Sequence, residues 1–326
     1  MNKEVFLHIG TNKTGTTSIQ NQLYNHRSEL LKHGICYPLE TKAHHHVFRN
    51  NKTGSLQLKM DNWSELMKEI ESDELMKVII SSEGFAKSYG NIELDGLHQI
   101  KNELRDFDVT IVLFLRSQHS FLESYYSQLL KHGIRFSVNL LQEIIENTNL
   151  DYCKMVSAWA SVFGKEKLRV LCFDSIDSKD LVKTFYDIVG IPFNPAEEPP
   201  ANRKPSLDQM RCFYEIHKVI SENNLVVNGQ RKDLYNGLLR HTKNWAEPIR
   251  DYKLMPFEQA LSVHRKYLDS NRELIESYTD CGLEKLLEAP EPYDHADISF
   301  LALSKHHRIE GIEFIKKHVF PDYSPK

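Results

Sequence analysis

Four short apolar runs, each followed by a segment of helical period, restrict this chain to an α/β sheet of parallel strands. The runs are Val5–Ile9, Val78–Ser82, Thr110–Leu115 and Leu168–Phe173. A strand with one wet face alternates apolar and polar residues. A continuous run is buried on both faces, as parallel strands between helices are. After the first run, Ile19, Leu23, Leu30 and Leu31 recur at helical spacing. After the third, Phe121, Leu122, Tyr125, Tyr126, Leu129 and Leu130 do the same. Strand alternating with helix predicts a doubly wound parallel sheet flanked by helices.

The character changes past Pro192. Pro195 to Pro205 reads as a loop, rich in proline and charge, and the pattern beyond it is helical. Helices are predicted over Ser206–Glu222, Asp233–Ala246 and Phe257–Tyr278, with a terminal extension over Ile298–His318. The chain of 326 residues then reads as an α/β core over 1–200 and a loop with a helical C-terminal part over 201–326. Both are expected to belong to one domain.

Charge narrows the class. Charged residues make up 26% of the chain and the net charge is −4. Polyanion coating needs a cationic surface, so nucleic acid is not an expected partner. A local basic pocket for a small phosphorylated ligand fits this balance. The Val5–Ile9 run is too short for a signal-peptide core, and no stretch approaches the roughly 20 apolar residues of a membrane span. Cys36, Cys153, Cys172, Cys212 and Cys281 are odd in number and free of CxxC pairs. They read as reduced structural thiols, and the expected location is cytoplasmic.

The sharpest local signal is Gly10-Thr11-Asn12-Lys13-Thr14-Gly15-Thr16-Thr17, which follows a strand and opens a helix. Such a loop points backbone N–H groups at an anion, and the helix dipole adds favourable potential. Glycine at 10 and 15 permits positive φ and close approach. Thr16 and Thr17 add hydroxyl donors. A nucleotide triphosphatase loop carries lysine directly after its second glycine. Here Thr16 stands in that slot and the lysine has moved forward to Lys13. The fold is therefore P-loop-like without the complete motif.

In an open parallel sheet, ligands sit beyond the carboxyl ends of the strands. The first run leads into the Lys13 loop, the second ends in Glu83, and the third ends in Arg116, with Ser124 on the following helix. Each alone has an ordinary structural reading: a cap, an ion pair, a helical serine. Together they supply distinct parts of one reaction. Arg116 and Ser124 can bind a second phosphate through a bidentate fork and a hydroxyl. Glu83 can accept the proton of an attacking hydroxyl.

Gly10-x-x-Lys13-Thr14-Gly15-Thr16-Thr17, followed by Leu115-Arg116-Ser117 with Ser124 eight residues after the arginine, resembles the paired cofactor signatures of the sulfotransferases that use 3′-phosphoadenosine 5′-phosphosulfate (PAPS). The resemblance implies that the loop, Asn12 to Thr17, holds the 5′-phosphosulfate. Arg116 and Ser124 match the 3′-phosphate site. Ser81-Ser82-Glu83 resembles the base position of glycan-modifying members, bacterial-type ones in particular. More loosely, Trp159-x-x-x-Phe163-Gly164 before Leu168–Phe173 is similar to the family's fourth strand unit. Asn202-Arg203-Lys204-Pro205-Ser206-Leu207 looks like the loop that closes over the cofactor, with Arg203 and Lys204 as phosphate contacts, and Asn271 sits in a familiar context. The histidine base and the longer Arg-Lys-Gly loop of the cytosolic small-molecule branch are not found, which favours a carbohydrate or glycan-like acceptor. No metal is implied. The segment after Ile298 matches no part of the family.

The resemblance implies in-line attack by an acceptor hydroxyl, with Glu83 as base, Lys13 against the leaving oxygen, and Thr16, Thr17 and loop amides as preorganised donors. A small-molecule kinase and a silent nucleotide-binding protein are the alternatives. The first needs a magnesium ligand and a lysine after Gly15. His44-His45-His46 is read as a polar loop, either solvated or lining an acceptor site, because adjacent histidines diverge and no second ligand pair stands near. His119 is a competing base. Ser206 with Gln209 has capping-box spacing. The acceptor pocket is expected around 38–60, 84–96 and 131–150, where Arg49, Tyr89, Arg135 and Phe136 join the histidines.

Overall fold

The computed structural model describes residues 3–50, 56–72, 74–86, 94–132, 139–195, 204–223, 225, 231–245, 249, 251–278, 282–321 and 324. Its strands are β1 (Glu4–Gly10), β2 (Ile35–Cys36), β3 (Phe48–Asn50), β4 (Leu56–Leu58), β5 (Lys77–Ser81), β6 (Asp108–Leu115) and β7 (Leu168–Cys172). Helices α1 (Thr16–Asn25), α2 (Arg27–Lys32), α3 (Met60–Ile70) and α4 (Leu94–Glu103) lie among the first six strands. Then follow α5 (Gln118–His132), α6 (Leu140–Asn147), α7 (Tyr152–Phe163) and α8 (Leu181–Val189). The last four are α9 (Leu207–Glu222), α10 (Arg231–His241), α11 (Phe257–Ser277) and α12 (Lys305–His318). The chain divides into two compact units. One comprises Met1–Gln118, Asn149–Ala201 and His264–Glu288; the other comprises His119–Thr148, Asn202–Val263 and Ala289–Lys326.

The first unit is built on a five-stranded sheet in the order β2-β5-β1-β6-β7, with every neighbouring pair parallel. Helices cover both faces. Phe6, Ile79, Val112, Phe114 and Leu171 form one core with Ile19 and Leu23 of α1 and Leu181, Phe185 and Val189 of α8. Val5, Leu7 and Ile9 take the alternate positions of β1 and are fully buried as well. Each such side chain contributes about 1.5–3 kcal/mol by leaving water. Double-sided burial is the physical reason for the unbroken apolar runs.

Strand order places the site. The chain departs from β1 toward β5 on one side and β6 on the other, so β1 ends at the point where the winding reverses, and ligands collect there. The register of β1 against β6 shifts between His8 and Gly10, an irregularity just before the loop. Two features were not foreseen. The edge strand β2 has two residues, too few to show a pattern, and β3 pairs antiparallel with β4 in a separate two-stranded ribbon.

The second unit is helical. Met210, Phe213 and Ile216 of α9, Leu238 of α10 and Phe314 and Ile315 of α12 are buried. The terminal extension is thus part of that unit's core. His307 lies 2.7 Å from Asp208, and its ring stacks on Trp245 at 4.3 Å between centroids. Ser206 caps α9 as its spacing predicts: its hydroxyl accepts from Gln209 N–H at 3.2 Å, while Gln209 accepts from Ser206 N–H at 2.9 Å. Ser206→Ala should therefore lower unfolding free energy by about 1 kcal/mol, read as a shifted denaturant midpoint at unchanged slope. An unmoved midpoint would show that the box contributes nothing.

Candidate functional site

The loop between β1 and α1 is held from below by β6. Thr11 N–H donates to Phe114 O at 2.9 Å and the Thr11 hydroxyl to the same oxygen at 3.1 Å. The Thr14 hydroxyl turns inward to Thr11 O at 2.7 Å. Gly10 and Gly15 both take positive φ, 91° and 73°, and so does Lys13 at 67°. A left-handed lysine is strained relative to glycine, and strain of this kind gathers where a backbone must be curled for a ligand. Helix α1 starts at Gly15 with no side-chain cap and no acidic residue in its first turn. An uncapped N-terminus leaves its N–H groups to an anion.

Glu83 comes to this loop from the end of β5. The strand itself stops at Ser81, and Glu83 opens a single 3₁₀ turn, Glu83–Ala86. A β-carbon on Gly10 would stand 3.1 Å from the Glu83 Cα, so the glycine provides close approach as well as its φ. The Glu83 carboxylate is held on both oxygens. Thr16 Oγ1 donates to Oε1. Gln20 Nε2 donates to Oε2 at 3.1 Å, and His45 Nε2 lies 3.3 Å from Oε2. Burial works to raise the pKa of Glu83. The hydrogen bonds from Thr16, its own backbone and Gln20, with the charge of His45, outweigh burial and hold it below the ordinary carboxylate value.

Arg116 stands at the end of β6. Its Nη1 donates to Lys13 O at 3.1 Å, a direct tie to the loop. Its Nε lies 3.4 Å from Asp174 Oδ1, near enough for ion pairing but off hydrogen-bond geometry, which leaves a buried donor unsatisfied. The guanidinium lies over the Phe173 ring at 5.3 Å. Asp174 also accepts from Ser117 N–H and hydroxyl at 2.7 and 2.6 Å. A half-buried guanidinium beside uncapped amides has the donor set for a phosphate.

Sequence reasoning missed Asp174 and Gln20, and read His45 only as part of a polar loop, either solvated or lining an acceptor site. Asp174 follows β7 as Glu83 follows β5, so the strand-end rule reaches it. Gln20 stands four residues after Thr16, on the same helical face. His45 carries no local signal, since its approach to Glu83 is set by tertiary packing. The other histidines of the triplet diverge, as adjacent side chains must. His44 is buried; its Nδ1 accepts from Ser81 N–H at 3.0 Å and its Nε2 donates to Pro38 O at 2.8 Å. Burial pushes its pKa down to about 4, leaving it neutral.

Of the remaining predicted residues, Asn12 and Lys13 lie half-buried in the loop, and Thr17 is exposed on the first turn of α1. Ser124 lies half-buried on α5, in the second unit. Also there, Lys204 donates to Tyr252 O at 2.7 Å, its Nζ 3.6 Å from the Tyr252 ring centroid. Arg203, Tyr89, Arg135 and Phe136 lie outside the described residues, and Arg49 is described in its backbone alone. His119 lines a cleft of about 450 Å³ in the second unit with Glu123, Tyr252 and Tyr293. Asn271 is buried and pairs its amide with Gln118 at 2.8 and 3.1 Å, a structural tie of the first unit. The four described cysteines are buried and unbridged. No helix among the described residues is long and apolar enough to cross a membrane.

Parallel sheet, covering helices and glycine loop define an α/β protein of the phosphate-loop kind. No family model and no curated protein matches the chain. Among solved structures it is similar to a sulfotransferase from Alicyclobacillus acidocaldarius, at 16% identity and a TM-score of 0.39, over 71% of this chain and 100% of that one.

Proposed function

We propose that the chain is a sulfotransferase, moving a sulfuryl group from PAPS to a hydroxyl of a carbohydrate or glycan-like acceptor. The observation that carries this reading is the meeting of Glu83, Thr16, Lys13 and Arg116 at the end of β1. A proton acceptor stands beside an anion loop whose lysine is inside the curl. The bound donor supplies an activated sulfur that bonds to the acceptor oxygen as its bond to the phosphate oxygen breaks. Glu83 takes the hydroxyl proton at a carboxylate oxygen. Lys13 and the first-turn amides of α1 hold the charge that collects on the leaving phosphate. Arg116 binds the second phosphate. The scheme requires no metal.

Calorimetric titration with 3′-phosphoadenosine 5′-phosphate, against ATP with magnesium, tests the donor class. Micromolar or tighter, magnesium-independent binding of the bisphosphate is expected, an affinity of about −8 kcal/mol or better. Preference for magnesium ATP would overturn the reading in favour of a kinase.

A further inference from the structure

We infer that His45 is a positioning residue of the transfer step: it fixes the Oε2 side of Glu83 and sets, through its own charge, how readily that carboxylate takes a proton. The inference rests on the reading of Glu83 as base.

The geometry is specific. Both ring nitrogens of His45 are engaged, Nε2 facing Glu83 Oε2 at 3.3 Å and Nδ1 against the Ser82 hydroxyl. That hydroxyl also accepts from Gly84 N–H at 3.3 Å, so its own proton is available to Nδ1. Nε2–H then faces the carboxylate. The backbone around His45 is pinned. His44 N–H donates to Ser81 O at 2.9 Å, the His44 ring is locked between Ser81 and Pro38, and Val47 and Phe48 are buried just beyond. His45 is thus delivered to Glu83 by an anchored turn.

Its surroundings separate it from the other partners of Glu83. Thr16 and Gln20 are buried and do not titrate. The His45 side chain is 56% exposed while Glu83 is 13% exposed, so His45 is the partner of Glu83 that meets water. Among the described residues, His8 on β1 and Tyr37 after β2 also sense Glu83. Burial pushes His8 down to about 4 and raises Tyr37, so both are neutral across the working range. A donor and positive charge at Nε2 favour the ionised carboxylate, so loss of His45 makes Glu83 easier to protonate.

The test compares wild type with His45→Gln and His45→Ala, each checked for an unchanged melting temperature. Carboxyl-carbon NMR of Glu83, which needs no turnover, is titrated first. Both variants should move its midpoint upward, because a charge that favours the ionised form is gone. In kinetics, His45→Ala should lose about tenfold in kcat at a donor KM within a fewfold. His45→Gln, which keeps a donor, should recover part of that. The acid limb of kcat/KM, set by Glu83, should move to higher pH in both variants. An unmoved midpoint together with superimposable pH profiles would overturn the inference. Failure of the underlying reading looks different: Glu83→Gln would then turn over normally, whatever the His45 variants do.

Discussion

Glu83→Gln should lower kcat for sulfuryl transfer by about 10²–10⁴-fold, with affinity for the bisphosphate product changed by no more than a fewfold. The amide keeps the volume of the carboxyl and loses its capacity to take a proton. It also turns an NH₂ group toward donors that now serve a carboxylate: Thr16 on one side, Gln20 and His45 on the other. A mismatched buried donor costs about 1–3 kcal/mol, so a lowered melting temperature should accompany the lost rate. Glu83→Asp separates the two effects. It retains charge and acceptors but withdraws them by one methylene, and misplacement on that scale costs about 10²-fold in rate. Because Glu83 ionises below the usual carboxylate range, wild type should keep its base at pH values where an ordinary glutamate is losing it. The acid limb of kcat/KM should fall correspondingly low. Turnover of Glu83→Gln near the wild-type rate would remove Glu83 from the base position.

Arg116→Ala should weaken binding of 3′-phosphoadenosine 5′-phosphate by about 100-fold or more. Hydrogen bonds to charged groups are worth about 1.5–3 kcal/mol each, and about 2.7 kcal/mol is a hundredfold. The loss has two sources. One is the fork itself, with its buried Nε left without a hydrogen bond in this structure. The other is the tie from Nη1 to Lys13 O, which helps hold the loop in its curl. Arg116→Lys should fall between the two, since it restores charge without the planar fork. Asp174→Asn should weaken binding less than Arg116→Ala, because it disturbs only the aim of the guanidinium. The decisive reading is the dissociation constant of Arg116→Ala by calorimetry. A value equal to wild type would take Arg116 out of the ligand site.

Much of this architecture is legible in the sequence because burial on two faces leaves a simple trace. The runs beginning at Val5, Val78, Thr110 and Leu168 mark β1, β5, β6 and β7 to within two residues at each end. The glycines at 10 and 15 mark the curl by their backbone freedom. Ser206 and Gln209 mark the start of α9 through a local hydrogen-bonding pair. What escapes is non-local. Cys36 and Val78 pair across the sheet, but two residues carry no period. His45 reads as one of three loop histidines; only the packing of residues 44–48 on the end of β5 separates it from His44. Glu83 was expected at a strand end and stands instead on the turn beyond it, as the chain bends to bring the carboxylate under Thr16.

Thr16 has a thermodynamic consequence of its own. Its hydroxyl has one proton to donate, and here Glu83 Oε1 receives it. A ligand anion that draws this proton to itself removes one of the bonds that hold Glu83 ionised, so the affinity of the carboxylate for a proton rises. Linkage is reciprocal: protonation of Glu83 must favour that same ligand by an equal factor. Anion capture and proton capture are therefore two readings of one coupling.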